Sequence, residues 1–289
     1  TKPGARSVSV CVMHHERPDW VQQALASVDR QGYPHLEIVL VDDGSLSDRT
    51  TRALESIAAA RADQAVRSVR QENSYLGAAR NAGARAAHGD YLFFLDDDNV
   101  LKPEAIETLV GVAERTGSDI VTSFSDAFEG DSAPADAPDG TTVRHVFTGD
   151  NAAAGLFLNT FGDSNALVAR DAFLRLGGNT EDYGVGKDDH EFFARAVLHG
   201  AKLTVVPEAV YWARRSTARL RHTHFAEHAG ELRVARAYLA AAPVSLHGAV
   251  LLGQGLRLST TRASVAGEAR GSANLRDDMT NVNLMLAGH

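Results

Sequence analysis

The chain has 289 residues, of which 44% are hydrophobic and 23% charged, and a formal net charge of -8. This is the composition of a soluble globular protein, long enough for one large α/β domain or two modest ones, and no apolar run approaches the ~20 residues needed to span a bilayer. The acidic balance excludes general nucleic-acid binding, and the single Cys11, inside an apolar run, excludes an intrachain disulfide framework or a cysteine zinc site. Thr1-Lys2-Pro3-Gly4 lacks the apolar core of a signal peptide, so a cytoplasmic setting is expected.

In chain order, Val8 to Met13 reads as a fully apolar strand, and Pro18 opens a helix on which Val21, Leu25 and Val28 recur at helical spacing. Leu36 to Val41 is the next buried strand. It ends in Asp42-Asp43-Gly44-Ser45, and Ser47 is a plausible N-cap for the helix carrying Leu54 and Ile57. Val66 to Val69 reads as a short strand, Ala78 to Ala87 as an alanine-rich helix, and Tyr91 to Leu95 as the central strand, with a helix after Pro103. The β-α-β-α alternation predicts right-handed crossovers and a doubly wound, mostly parallel sheet flanked by helices, with its working edge at the strand C-termini. Asp119 to Phe124 is expected to be a strand, residues 129–142 a polar mobile loop, and Asn165 to Val168 a strand. Asp171 to Leu176 and His190 to Leu198 read as helices, Lys202 to Val206 as a strand, and Phe225 to Ala241 as a helix. Residues 281–287 could be a tail or an interface element. There is no internal repeat.

The central strand runs directly into Asp96-Asp97-Asp98-Asn99. Like charges a few ångströms apart repel by roughly 4 kcal/mol at an effective dielectric near 20, so the triplet is costly unless a cation or a helix cap offsets it. Oxygen-only ligands at the C-terminal edge of a parallel sheet suit Mg²⁺ or Mn²⁺, which in turn suit phosphate.

Val8-Ser9-Val10 with Arg17-Pro18, Glu37 to Ser45, Ala79-Arg80-Asn81-Ala82-Gly83, Gly89-Asp90-Tyr91 running into Leu95 to Asp98, Gly177-Gly178, and Asp188-Asp189-His190-Glu191-Phe192 with Arg195 together resemble the family 2 glycosyltransferases. The resemblance covers roughly residues 7–215 and implies a GT-A fold. It also implies an inverting sugar transfer from a nucleotide-sugar donor, usually a UDP-sugar, with a divalent metal. Residues 1–215 are then the GT-A domain, with a nucleotide-binding half to about 125 and an acceptor half from 126; residues 216–289 form a helical C-terminal extension.

By the same resemblance, Asp96 and Asp98 occupy the Asp-x-Asp motif, Asp96 near ribose and metal and Asp98 as the metal ligand. Asp97 is the variable middle position of the donor-binding turn, free to point away from the ion. Asp42 and Asp43 occupy the base-recognition position, where a carboxylate can accept from uracil N3–H. Asp43 is the first choice there, the alternative for either residue being a turn or helix cap. Arg80 matches a position that contacts base or phosphates. Asp189 aligns with the catalytic base, and Asp188 could act in its stead. The alternative for that pair is an N-cap, with Glu191 and Arg195 as a surface i,i+4 pair. His222 and His224 follow a basic run of Arg214, Arg215, Arg219 and Arg221 that could meet the departing diphosphate, and His224 is the preferred third metal ligand. His14 and His15 depart from the small or polar residues usual under the base. Trp212 is a core or rim residue that could stack on a sugar.

A nucleotidyltransferase would want a glycine- and lysine-rich loop after the first strand, and a dehydrogenase would want Gly-x-Gly-x-x-Gly; Met13-His14-His15-Glu16-Arg17 is neither. The remaining alternative is a non-catalytic GT-A-like module or scaffold of a larger synthase. Acceptors of saccharide, lipid-linked or other hydroxyl type fit equally, as does a location peripheral to the membrane, and the C-terminal helices could serve homo-oligomerisation.

Overall fold

The computed structural model describes residues 6–61, 66–133, 143–215 and 224–255, with the side chains of the last stretch described from residue 229. Strand β1 (Val8–His14), apolar but for Ser9 and His14, is buried at every position, as expected of a strand covered on both faces. Pro18, whose fixed φ suits a first helical position, opens α1 (Pro18–Asp29). Then come β2 (Leu36–Asp43), α2 (Asp48–Ala60), β3 (Val66–Gln71), α3 (Tyr75–Ala86), β4 (Tyr91–Asp96), β5 (Val100–Leu101) and α4 (Ala105–Thr116). The expected cap is observed, the Ser47 hydroxyl accepting from Thr50 N–H at 3.2 Å.

The second half comprises β6 (Ile120–Phe128), β7 (Arg144–His145), α5 (Ala152–Gly155), β8 (Leu167–Ala169), α6 (Arg170–Arg175), α7 (Asp188–Leu198), β9 (Leu203–Arg214) and α8 (His224–Ala241), with residues 247–255 also helical. The sheet order is β3-β2-β1-β4-β8-β6-β9-β5, with β7 beside β6. Parallel pairings run for six to nine residues, whereas each antiparallel pairing involves only two or three. Since β1 lies between β2 and β4, the crossovers change direction there, which opens a crevice at the C-terminal ends of these strands.

Helices α1, α2 and α4 cover one face around Val10, Leu25, Phe93 and Leu109; α3, α6, α7 and α8 cover the other around Cys11, Phe94, Phe173 and Phe193. Helix α3 lies close to the turn before α7 because residue 77 is glycine: a Cβ there would meet the carbonyl oxygen of Thr180. Helix α8 shares this second core through Val234 and Tyr238 and is packed against α7.

Strand β9 continues far past Val206, to Arg214. Pro207, which has no N–H to offer, falls where the β6–β9 register shifts between Ser123 and Phe124, and pairing resumes at Ala209. Helix α7 begins two residues before the expected His190, at Asp188. Residues 134–142 of the expected loop and the expected tail at 281–287 lie outside the described residues.

Candidate active site

Three loops meet at the crevice, and each turns on a non-glycine residue in the left-handed region: Glu16 (φ 56°) before α1, Tyr75 (φ 74°) at the start of α3, and Lys187 (φ 64°) before α7. Glu104 is the fourth among the described residues. Such backbone costs of order 1 kcal/mol or more apiece and gathers at functional sites.

The three aspartates after β4 point to three different places. Asp96 accepts from Arg80 Nη2 (2.9 Å) through Oδ1 and from Ser164 Oγ (3.1 Å) through Oδ2. Asp98 accepts from Arg17 Nη1 at 2.8 Å and is partly exposed. Burial, partly offset by Arg17, and then the charges of Asp96 and Asp97 push Asp98 up to about 6. Asp97 is turned inward: fully buried, it pairs with His14 Nδ1 (2.8 Å) and Arg17 Nη2 (2.5 Å). That geometry corrects the placement of Asp97 among donor contacts, since the β1 end fills the space it faces. Asn99 closes the turn, its N–H donating to Asp96 O (3.0 Å) and its side chain accepting from Arg214 N–H (3.2 Å).

Arg80 is 3% exposed, and its guanidinium joins Asp96 to Asp188. The expected contact with base or phosphate gives way to this internal bridge, because α3 points Arg80 between two carboxylates. Asp189 lacks such a partner. Its Oδ1 accepts from His190 N–H (2.7 Å), and Asn159 Nδ2 lies 3.5 Å from Oδ2. Burial first, then the charges of Asp188 and Asp163, raise Asp189 to about 7. Glu191 and Arg195 do pair at i,i+4 (2.6 Å), but Glu191 is buried and Arg195 also donates to the carbonyls of Leu176 and Gly178, fastening the Gly177-Gly178 turn.

At the end of β2, Asp42 Oδ1 accepts from Ser45 N–H (3.1 Å), and Arg70 Nε stands 3.5 Å from Oδ2. Asp43 accepts from Gln71 Nε2 (2.8 Å), Ser74 N–H (2.8 Å) and Tyr75 N–H (2.9 Å), which ties β2 to the start of α3. His15 lies beside it, with Nδ1 2.8 Å from Asp43 O. Trp212 is 5% exposed, with Lys102 Nζ 4.2 Å from its ring centre, so it is a core residue and offers no face to a sugar. Arg214 is likewise inside, 4.8 Å from the Trp20 ring centre and 4.5 Å from that of Phe128. His222, Arg219, Arg221 and the His224 side chain lie outside the described residues.

Sequence reasoning assigned no role to Arg17, Asn159, Asp163, Ser164 or Arg233. Arg17 had a signal, a basic residue on the loop after the strand that neighbours the Asp triplet. The others reach the site through contacts tens of residues apart that no local spacing reveals.

A curled, mostly parallel sheet with an Asp-x-Asp turn at its switch point defines a GT-A fold. Two solved structures share that fold: S. aureus TarS 1-349 in complex with UDP-GlcNAc (TM-score 0.69, 14% identity, 93% of this chain and 77% of that one), and the mannosyltransferase PcManGT from Pyrobaculum calidifontis in complex with GDP-Man and Mn²⁺ (TM-score 0.58, 19% identity, 98% and 81%). The model of glycosyl transferase family 2 matches residues 9–177, and the chain belongs to that family. EpsH of Bacillus subtilis is similar to it, 29% identical over 123 residues, 43% of this chain. The matched segment spans 35% of that relative's length. No helix among the described residues is long and apolar enough to cross a membrane.

Proposed function

We propose that the chain is an inverting, metal-assisted glycosyltransferase that moves a sugar from a nucleoside diphosphate sugar, in the first instance a UDP-sugar, to an acceptor hydroxyl. The observation that carries this reading is the division of labour around Arg80: Asp96 on one side, beside the partly exposed Asp98, and Asp188 on the other, beside a carboxyl raised to about 7. Nucleotide sugars bound to two proteins of the same fold support the donor class.

Asp43 has four acceptor sites and three donors, so Oδ2 retains one for a base N–H such as uracil N3–H. Asp96 and Asp98 offer an all-oxygen donor set, and no cluster of three or more His, Cys, Asp or Glu that could hold an ion occurs among the described residues. That set fits Mg²⁺ or Mn²⁺, which bind one or two carboxylates and complete their shell with phosphate oxygens. Asp98, raised by burial and by the charges of Asp96 and Asp97 in spite of Arg17, fits a cation too. Such an ion would supply charge neutralisation at the departing diphosphate.

Asp189 takes the proton of the acceptor hydroxyl. The freed oxygen pair attacks the anomeric carbon from the face opposite the diphosphate; the new C–O bond forms as the old one breaks, and its electron pair leaves on the phosphate oxygen, with inversion. Asp188 is engaged by Arg80 and serves to keep the proton affinity of Asp189 high. A base of this kind is worth ~10²–10⁴ in rate.

The test is calorimetric titration of UDP, GDP, dTDP and CDP, with and without Mn²⁺, on wild type and Asp98→Ala. Metal-dependent binding of one diphosphate, lost in the variant, is expected; binding of none would bring forward the non-catalytic scaffold. Asp189→Asn should keep donor binding while transfer falls ~10²–10⁴-fold. Normal turnover by that variant would pass the base role to Asp188.

A further inference from the structure

Three guanidiniums surround the acidic turn, and they are held very differently. Arg80 is sealed between two carboxylates, its side chain 4% exposed. Arg214 is 4% exposed and donates to Asp98 O, Gly130 O and Gln23 Oε1. Arg17 has a side chain 39% exposed, and its polar contacts among the described residues run to Asp97 and Asp98.

The backbone beneath Arg17 is fixed. Glu16, in its left-handed conformation, accepts from Ser47 N–H (2.9 Å), Ser47 Oγ (2.6 Å), Thr50 Oγ1 (3.1 Å) and Leu46 N–H, which fastens the β1–α1 loop to the start of α2. The long side chain above it lies over Trp20, its Cζ 5.4 Å from the ring centre. An indole face holds a guanidinium without fixing its direction, so the head can turn while the stem stays supported.

We propose that Arg17 is a tethered counter-ion of the donor site: it forks across Asp97 and Asp98 in the ligand-free chain and passes to the donor diphosphate when a divalent cation takes Asp98, so that cation and nucleotide bind cooperatively. The proposal rests on the donor-site reading above. A divalent ion on Asp98 would lie within a few ångströms of a guanidinium already 2.8 Å from the same carboxylate, and like charges that close repel strongly in a partly buried site. The cation must therefore displace Arg17 from Asp98. A diphosphate offers the displaced fork the bidentate oxygen geometry it gives up. Each ligand then lowers the cost of binding the other, and by linkage the factor is the same in both directions.

The experiment is calorimetry of Mn²⁺ alone, UDP alone and each in the presence of the other, on wild type, Arg17→Met and Arg17→Lys, with unfolding curves confirming that each variant is folded. In wild type each ligand should tighten the other about tenfold or more. Arg17→Met should bind Mn²⁺ alone about tenfold tighter, the shift expected from removing a competing charged contact, and its coupling factor should fall below that of wild type, to what contact between cation and phosphate alone supplies. Arg17→Lys keeps the charge but cannot fork across two carboxylates, so its coupling should be intermediate. Unchanged or weaker Mn²⁺ binding in Arg17→Met, or wild-type coupling in either variant, would overturn the proposal; should Arg17→Met not fold, Arg17→Lys alone decides. If wild type takes up neither Mn²⁺ nor UDP, the donor-site reading fails first and this proposal with it.

Discussion

Asp188 and Asp189 are neighbours in sequence, yet one is gripped by the Arg80 guanidinium while the other, among the described residues, accepts from the His190 N–H and has the Asn159 amide 3.5 Å away. Burial first, then the charges of Asp188 and Asp163, raise the Asp189 carboxyl to near neutrality. Only ionised Asp189 can take a proton, so transfer is expected to be level above about pH 7 and to fall about tenfold per unit below it. A pH–rate profile with saturating donor checks this; a rate that stays level down to pH 5 would rule Asp189 out as the base. Sequence reasoning singled out both carboxylates and the Asp-x-Asp turn because a strand end and a helix start are local signals. It could not place Asp97, whose direction is set by His14, a residue 83 positions away on the strand that β4 happens to adjoin. Nor could it see that Arg80 faces inward, since Asp188 lies 108 positions away.

At the scale of elements, the parallel half was legible to within about three residues, because β1, β2 and β4 are mainly apolar runs separated by helices, the first two with proline and serine starts. The second half was less so. Strand β9 hides its length behind Pro207, and β5 is two residues long. The packing of α3 against the turn before α7 depends on Gly77, which in sequence looks like a mild weakness in an alanine-rich helix. A Cβ there meets Thr180 O, backbone that cannot step aside cheaply, and Asn81 one turn later is bonded to both N–H and C=O of Asn179 (2.8 Å each). Gly77→Ala is expected to lower kcat by shifting the approach to Asp188 while leaving the charges of the site intact. Transfer kinetics beside UDP titration check it: equal loss in both would locate the damage in the donor half instead.

For the whole molecule, the division at residue 215 read from the sequence does not coincide with a gap in the packing. Arg233 of α8, 3% exposed, donates to the carbonyls of Asp182 (2.9 Å), Val185 (2.7 Å) and Gly186 (3.3 Å) and stands 3.5 Å from the Asp182 carboxylate. Lys187, the strained residue before Asp188, pairs with Glu231 of the same helix. The C-terminal helix thus holds the loop that delivers the acidic pair. Arg233→Ala is expected to reduce kcat about tenfold or more through misplacement of Asp188 and Asp189, with the donor KM little changed. Steady-state kinetics decide, and an unchanged kcat would mean that the loop keeps its shape unaided.

The Arg80 bridge also bears on how such chains can diverge. Removing Arg80 from between its two carboxylates leaves negative charge unpaired in a largely buried site and costs about 3–5 kcal/mol, a large part of the stability of a typical domain. Arg80 is therefore tied in inheritance to its partners: a related chain that has lost Arg80 should have lost the negative charge at one or both of Asp96 and Asp188 as well.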